Sequence, residues 1–349
     1  MGNNHWPVDL PPTIAAAPNP ATAPTLAHAA AGDGVLVTFA VPSSVMVVGH
    51  DHMLPFPRSL SPRPIVGDLV VVTAAGDRVA AVLPRRNVLR RADPAGGEQL
   101  LAANVDVVAI VCGLDRPVKA GRVQRAVALA WDCGATPVVV LTKSDVVPDA
   151  SVVQTEVLMA NPGVEVLVLS AATHEGIEPL QRRLQGLSVV LLGESGSGKS
   201  TLTNALLGRD AAHVAAVRST DHKGRHTTTD RHLFELPAGG WLIDTPGIRA
   251  VGLPSNFALS DEQFADILEL SIDCRFRDCT HTGEPQCAVQ AAVADGALAS
   301  VRLEQWLRLT AEIAGAERRS DEHTRREYDR KRTKEIYKPT MAMKYRNRE

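Results

Sequence analysis

Aromatic side chains are scarce in this 349-residue chain, at 4%. Its core must therefore be built from Val, Leu, Ile and Ala. Cysteine is sparse too. Five in a chain this long, an odd number, argue against a secreted disulfide framework. No apolar run approaches the roughly 18 residues that span a bilayer, and the N-terminus has no basic stretch leading into an apolar one. Met1-Gly2 is not a myristoylation signal, because Trp6 stands where Ser or Thr is needed. An excess of one charge is also missing. The 37 basic and 39 acidic residues give a formal charge of -2, so no net field advertises a nucleic-acid partner. These absences point to a cytoplasmic protein without a membrane partner.

The rest of the composition is globular, 45% hydrophobic and 22% charged, over more than one ordinary domain length. Residues 1–33 hold six prolines and nine alanines with no periodicity, and read as a flexible leader. Over residues 34–92 come short β-branched runs broken by Gly and Pro: 35–39, 45–48, 66–72 and 79–83. Four such runs in about fifty residues predict a small β-barrel. It is followed by Arg85, Arg86, Arg90 and Arg91, which read either as a solvated linker or as an RNA-facing patch. Residues 93–258 have a strand–helix–strand rhythm. Apolar strands are expected at 105–111, 137–141, 164–169, 188–192 and 240–243, with a helix over 122–133, the pattern of an open parallel sheet. Residues 259–316 carry a Cys-containing stretch and helical segments. From 317 to 349, twelve Lys/Arg face seven Asp/Glu, a basic tail that suits either a solvated helix or rRNA contact.

Gly193-Glu194-Ser195-Gly196-Ser197-Gly198-Lys199-Ser200 follows the strand at 188–192 and opens a helical run at Thr201. This is G-x-x-x-x-G-K-[ST] in the context it requires. Glycines let successive N–H groups curl round phosphate oxygens, at a helix N-terminus whose potential favours anions. Lys199 is expected to bridge the β- and γ-phosphates and Ser200 to hold Mg²⁺. Asp244-Thr245-Pro246-Gly247 ends the strand at 240–243. There Asp244 reaches Mg²⁺ through water and the Gly247 N–H senses the γ-phosphate. Between the two, His226 and Thr228 lie in a polar stretch suited to a nucleotide-gated loop, with a threonine to make a second Mg²⁺ contact.

Thr142-Lys143-Ser144-Asp145 follows the strand at 137–141. The Asp145 carboxylate can accept from both N1–H and N2–H₂ of guanine, a donor pair that adenine lacks, and the Lys143 stem can cover the base. Ser170 and Ala171, at the end of the 164–169 strand, can offer a backbone N–H to the guanine carbonyl. These base-reading motifs precede the phosphate loop, the reverse of an ordinary GTPase. A sheet cut at one loop and rejoined at another gives this order, so the domain reads as circularly permuted. Finally, Cys274, Cys279, His281 and Cys287 fall within fourteen residues, a donor set that closes a structural tetrahedral Zn²⁺ site. Cys112 and Cys133 read as core packing.

Taken together, the permuted motifs and the Cys/His spacing resemble the RsgA family, also called YjeQ, over about residues 35–310. The resemblance implies an OB-type barrel at 34–92, a circularly permuted α/β P-loop GTPase domain at 93–258 and a zinc-binding helical domain at 259–316. It also implies a GTP hydrolase that acts in late maturation of the small ribosomal subunit. That subunit and its rRNA would be the partners, GTP/GDP, Mg²⁺ and one Zn²⁺ the ligands, and the chain a monomer. Thr228 is the expected switch ligand of Mg²⁺. Ile248 stands where many GTPases place a water-orienting glutamine, and His226 is the candidate for that task. Thr142 stands where Asn is usual, which predicts weaker support for the base and the phosphate loop. Two other readings remain. A P-loop ATPase or kinase leaves Asp145 without purpose. A zinc-containing RNA-binding factor that uses GTP as a ligand with little turnover fits the absent glutamine.

Overall fold

A computed structural model of the chain describes residues 34–93, 97–210, 232–245, 252–254, 257, 259 and 261–318. The N-terminal part is one antiparallel sheet of β1 (Val35–Val41), β2 (Ser44–Val47), β3 (Leu54–Pro55), β4 (Leu69–Val72) and β5 (Val79–Val82), in the order β3-β2-β1-β4-β5. Val37, Val45, Leu54, Val70 and Val79 fill its interior. The run at 66–72 enters the sheet only at Leu69. Gly67 turns the chain at φ +87°, and a Cβ there would lie 2.3 Å from the Ala103 carbonyl oxygen. Only glycine admits so close an approach between this turn and the next hairpin.

That hairpin pairs β6 (Val88–Ala92) with β7 (Glu98–Ala103) and gives the arginines a use that neither sequence reading foresaw. Arg85 forks onto the fully buried Asp68 carboxylate, with Nε–Oδ1 2.7 Å and Nη2–Oδ2 2.8 Å. Arg86 pairs with Asp106, and Arg90 with Glu98 and Asp132. Arg91 donates to Gln99 Oε1 at 2.9 Å. The cluster therefore ties the N-terminal sheet and the hairpin to the domain that follows.

The central sheet comprises β8 (Val107–Gly113), β9 (Thr136–Thr142), β10 (Glu165–Val168), β11 (Ser188–Gly193), β12 (His232–Glu235) and β13 (Trp241–Asp244). Its order is β10-β9-β8-β11-β13-β12, and only the edge strand β12 is antiparallel. All five expected strands are present. β12 was not foreseen because it is four residues long, with His232 and Glu235 at its ends. Both faces of the sheet are covered. Val108 and Ile110 face a core shared with α1 (Ala120–Asp132), while Val107, Ala109 and Val111 face one shared with α3 (Ile177–Leu184) and α4 (Lys199–Leu207). Each such buried Val or Leu contributes about 1.5–3 kcal/mol relative to exposure. Helix α2 (Ser151–Ala160) joins β9 to β10. From β8 the chain winds outward to β9 and β10, then returns to β11 on the other side of β8. The strand order thus reverses between β8 and β11, where ligands of open α/β sheets bind at the carboxyl ends.

After a 3₁₀ turn at Asp261–Phe264 come α5 (Ala265–Ser271), α6 (Ala288–Ala294) and a helix α7 over 300–318. Phe264, Ile267, Val289, Leu303 and Leu309 share one continuous core with Val123 and Val127 of α1. Arg302 forks onto Asp266 at 2.8 and 3.0 Å over the Phe264 ring, and Arg125 of α1 meets Glu312 of α7 at 3.2 Å. Among the described residues, no helix is long and apolar enough to cross a membrane.

Candidate nucleotide site and metal-ligand cluster

The phosphate motif lies at the strand reversal. β11 ends at Gly193, residues 194–198 form the loop, and α4 starts at Lys199. Gly198 caps the helix at φ +90°, with Thr142 Oγ1 3.2 Å from where a Cβ would stand. Lys199 is 6% exposed, and its ammonium donates to the carbonyls of Gly193 and Glu194, both at 2.8 Å. Burial lowers its pKa, against a smaller upward pull from Asp244. Ser195, Gly196, Ser200 and Thr201 are exposed along the mouth of the loop, while Ser197 is buried with its hydroxyl unpartnered. Glu194 forms an ion pair with Arg122 of α1, which fixes the near side of the loop.

Asp244 ends β13 in register with Leu191 of β11, so its half-buried carboxyl faces the loop from the neighbouring strand. Thr245 follows it, its hydroxyl donating to the Leu191 carbonyl at 2.6 Å. Burial pushes the Asp244 carboxyl up to about 6, although the Lys199 charge pulls it down. A carboxyl raised in the folded state stabilises the fold below its unfolded value of 3.8, and that contribution is lost as pH rises through about 6. Asp244→Asn is accordingly expected to stabilise the nucleotide-free, Mg²⁺-free protein by about 2–3 kcal/mol at pH 7, and by only about 0.5 kcal/mol at pH 4. Urea unfolding of both proteins at the two pH values measures this.

The base-reading motif reaches the same edge from β9. Thr142 is buried at the end of that strand, and its hydroxyl donates to the Ser197 carbonyl at 2.6 Å. Thr142 thus keeps one hydrogen bond to the phosphate loop through its hydroxyl, where weaker support was expected for Thr in place of Asn. Lys143 adopts φ +63° and its ammonium donates to the Gly196 carbonyl at 2.7 Å. Ser144 N–H is held by the Leu169 carbonyl at 3.2 Å. Asp145 Oδ1 accepts from the fully buried Ser170 hydroxyl at 2.5 Å, which joins the turn after β9 to the turn that holds Ala171 after β10. Thr142, Asp145, Ser170 and the phosphate loop thus form one connected edge. His226, Thr228 and Gly247 lie outside the described residues.

Sequence reasoning missed Asp115, Arg116 and Arg122. All three follow β8, the strand between the phosphate and base motifs. A Leu-Asp-Arg turn directly after a buried apolar strand was the available signal.

The second cluster is built on the segment between α5 and α6. Ligand atoms of Cys274, Cys279, His281 and Cys287 all lie within 4.8 Å of one another. Cys274 Sγ is 3.9 Å from Cys287 Sγ and 3.6 Å from His281 Nδ1, which is 3.3 Å from Cys287 Sγ. A tetrahedral zinc sets such edges at about 3.5–3.8 Å, so the donor set fits that ion. Gln290 Nε2 donates to the His281 carbonyl at 2.6 Å, and Trp306 packs 5.1 Å from the imidazole. Cys287 also caps α6, accepting from the Gln290 N–H at 3.4 Å. Cys112 packs half-buried against the core, and Cys133 is buried. Burial pushes their thiols up to about 11 and about 12, as inert packing residues require.

The family model for RsgA GTPase matches residues 82–254. The chain is 47% identical over 276 residues to the small ribosomal subunit biogenesis GTPase RsgA of Streptomyces avermitilis, covering 76% of this chain and 75% of that one. It is 45% identical over 273 residues to the protein of the same name from Xylella fastidiosa (strain 9a5c), covering 76% and 77%. Among solved structures, YjeQ from Thermotoga maritima matches with a TM-score of 0.57 and 26% identity, over 81% of this chain and 98% of that one. YloQ, described as a circularly permuted GTPase, shares the fold at a TM-score of 0.57 and 22% identity, over 81% and 95%. The permuted order of motifs is thus the order of a known fold, and the chain belongs to the RsgA GTPase family.

Proposed function

We propose that this chain hydrolyses GTP to GDP and phosphate in late maturation of the small ribosomal subunit, at a rate raised by that subunit. One observation carries the enzymatic part. The Thr142 hydroxyl and the Lys143 ammonium join the base-reading turn to the phosphate loop, so both ends of one nucleotide are met by one rigid edge.

In this reading, the loop N–H groups of residues 193–201 hold the polyphosphate, and Lys199 leaves its two carbonyl partners to meet the β- and γ-oxygens. Asp145 accepts from the guanine edge, Lys143 covers the base, and the turn at Ser170 and Ala171 faces the guanine carbonyl. Mg²⁺, when bound, neutralises charge on the β- and γ-phosphates. Ser200, exposed at the helix N-terminus, and the Asp244 carboxylate beside it suit it as ligand and outer anchor. Thr228, Gly247 and His226 keep the roles of switch ligand, γ-phosphate sensor and water-orienting residue.

The strand order β3-β2-β1-β4-β5 supports an OB-type barrel open between β3 and β5 within residues 34–92, its strands spanning Val35–Val82, while β6 at 88–92 pairs instead with β7 beyond that boundary. The edge lengths of the Cys/His cluster support one structural Zn²⁺ in residues 259–316. The protein acts as a monomer in the cytoplasm.

The base assignment is tested by competition between GTP and ATP. The parent chain is expected to turn over GTP with ATP inert. Asp145→Ala is expected to cut the GTP preference by about 50-fold, because the guanine donor pair loses its acceptor. Equal use of ATP by the parent would contradict the assignment.

A further inference from the structure

The loop that leaves β8 belongs to neither the phosphate motif nor the base motif, yet it touches both. Asp115 stands two residues beyond Gly113, the last residue of β8. Its Oδ2 accepts from Lys143 Nζ at 2.8 Å and from Arg116 Nη2 at 3.1 Å. The same lysine donates to the Gly196 carbonyl at 2.7 Å, and Arg116 Nη2 lies 3.5 Å from that oxygen. Two glycines make room for this arrangement. A Cβ on Gly113 would lie 2.5 Å from Asp115 Oδ1 and 3.5 Å from Lys143 Cδ, and one on Gly196 would lie 3.1 Å from Arg116 Nη2.

A lysine on its flexible stem pays side-chain entropy whenever a ligand fixes it, and a partner that fixes it beforehand removes that cost from binding. Resting on the GTP reading above, we infer that Asp115 is a positioning residue for the guanine nucleotide. It holds the Lys143 ammonium against the phosphate loop, so that the lysine stem is already laid where the base stacks. It also draws the Arg116 guanidinium over Gly196, which adds a cation beside the polyphosphate. Lys143 first, then Arg116, hold the Asp115 carboxyl down at about 2, so the clamp stays charged across the working pH range. A charge-assisted contact at both ends of one ammonium makes Asp115 and Lys143 a coupled pair rather than two independent contributors.

A double-mutant cycle on the full chain tests this, read with mant-GDP (GDP carrying a fluorescent N-methylanthraniloyl group on its ribose). Asp115→Ala is expected to weaken mant-GDP about five- to tenfold and to raise KM for GTP, with kcat changed less than about twofold. In a Lys143→Ala background, removing Asp115 is expected to cost no more than about twofold, because only its hold on Arg116 is then left to lose. An unchanged affinity in Asp115→Ala would overturn the inference, as would an equal loss in both backgrounds, since a merely structural aspartate acts without Lys143. A parent chain that does not bind mant-GDP at all removes the GTP reading and this inference with it. Binding by the parent with no Asp115–Lys143 coupling removes the inference alone.

Discussion

Cys287→Ser, or chelation of zinc from the parent chain at neutral pH, is expected to destabilise the region from about 272 to 318 by roughly 5 kcal/mol or more. A structural zinc in a small metal-folded segment is worth about 10–16 kcal/mol, and part of that survives when flanking helices own some core. Between Ile272 and Cys287 the only buried residues are His281 and Cys287, both members of the ligand set. Ile272 is 81% exposed and Phe276 41%, so no apolar side chain staples the segment in place of a metal. The damage should spread into α6, whose N-cap is Cys287 itself, and to the packing of Trp306 on His281. Metal analysis should find one zinc per chain. Hydrogen exchange should accelerate across 272–318 in the variant while β8–β11 stay protected. A metal-free chain of undiminished stability would contradict the site.

Lys199→Ala is expected to lower single-turnover GTP hydrolysis by about 10³-fold, the upper range for removing one preorganised donor from a developing anion. The ammonium is buried behind the loop, and among the described residues its hydrogen bonds go to the carbonyls of Gly193 and Glu194 at the start of the loop, so its position serves the ligand as much as the fold. Burial lowers its pKa, which means the protein keeps a partly desolvated charge that a phosphate would stabilise. Nucleotide affinity should fall as well, while circular dichroism stays unchanged. A variant within threefold of the parent rate would show that Lys199 is not at the reacting phosphate.

What the sequence made legible was local. The phosphate loop, the 142–145 turn and the Cys/His set each lie in a short stretch, where spacing alone constrains geometry. The buried strands announced themselves as continuous apolar runs because helices cover both faces of the sheet. What stayed hidden depends on neighbours distant in the chain. Asp115 matters only because β8 lies beside β9, which brings it to Lys143. Arg85 reads as a surface charge until the turn at Gly67 places the Asp68 carboxylate beneath it. Thr142 looked like a lost amide, and its hydroxyl reaches the loop only because Ser197 comes within hydrogen-bond distance. β12 and β7 were missed for a simpler reason. β12 has only two apolar residues, and in β7 Leu100, Leu101, Ala102 and Ala103 run consecutively after Glu98 and Gln99 with no alternation to register.

The small ribosomal subunit is expected to raise GTP turnover by this chain. The most direct test is steady-state phosphate release from GTP and from ATP, each with and without purified small subunits. The expected result is slow GTP hydrolysis that rises manyfold with subunits, and no response with ATP. Nucleotide-dependent subunit binding without any rise in GTP turnover would contradict it, and would leave a factor that uses GTP as a ligand alone.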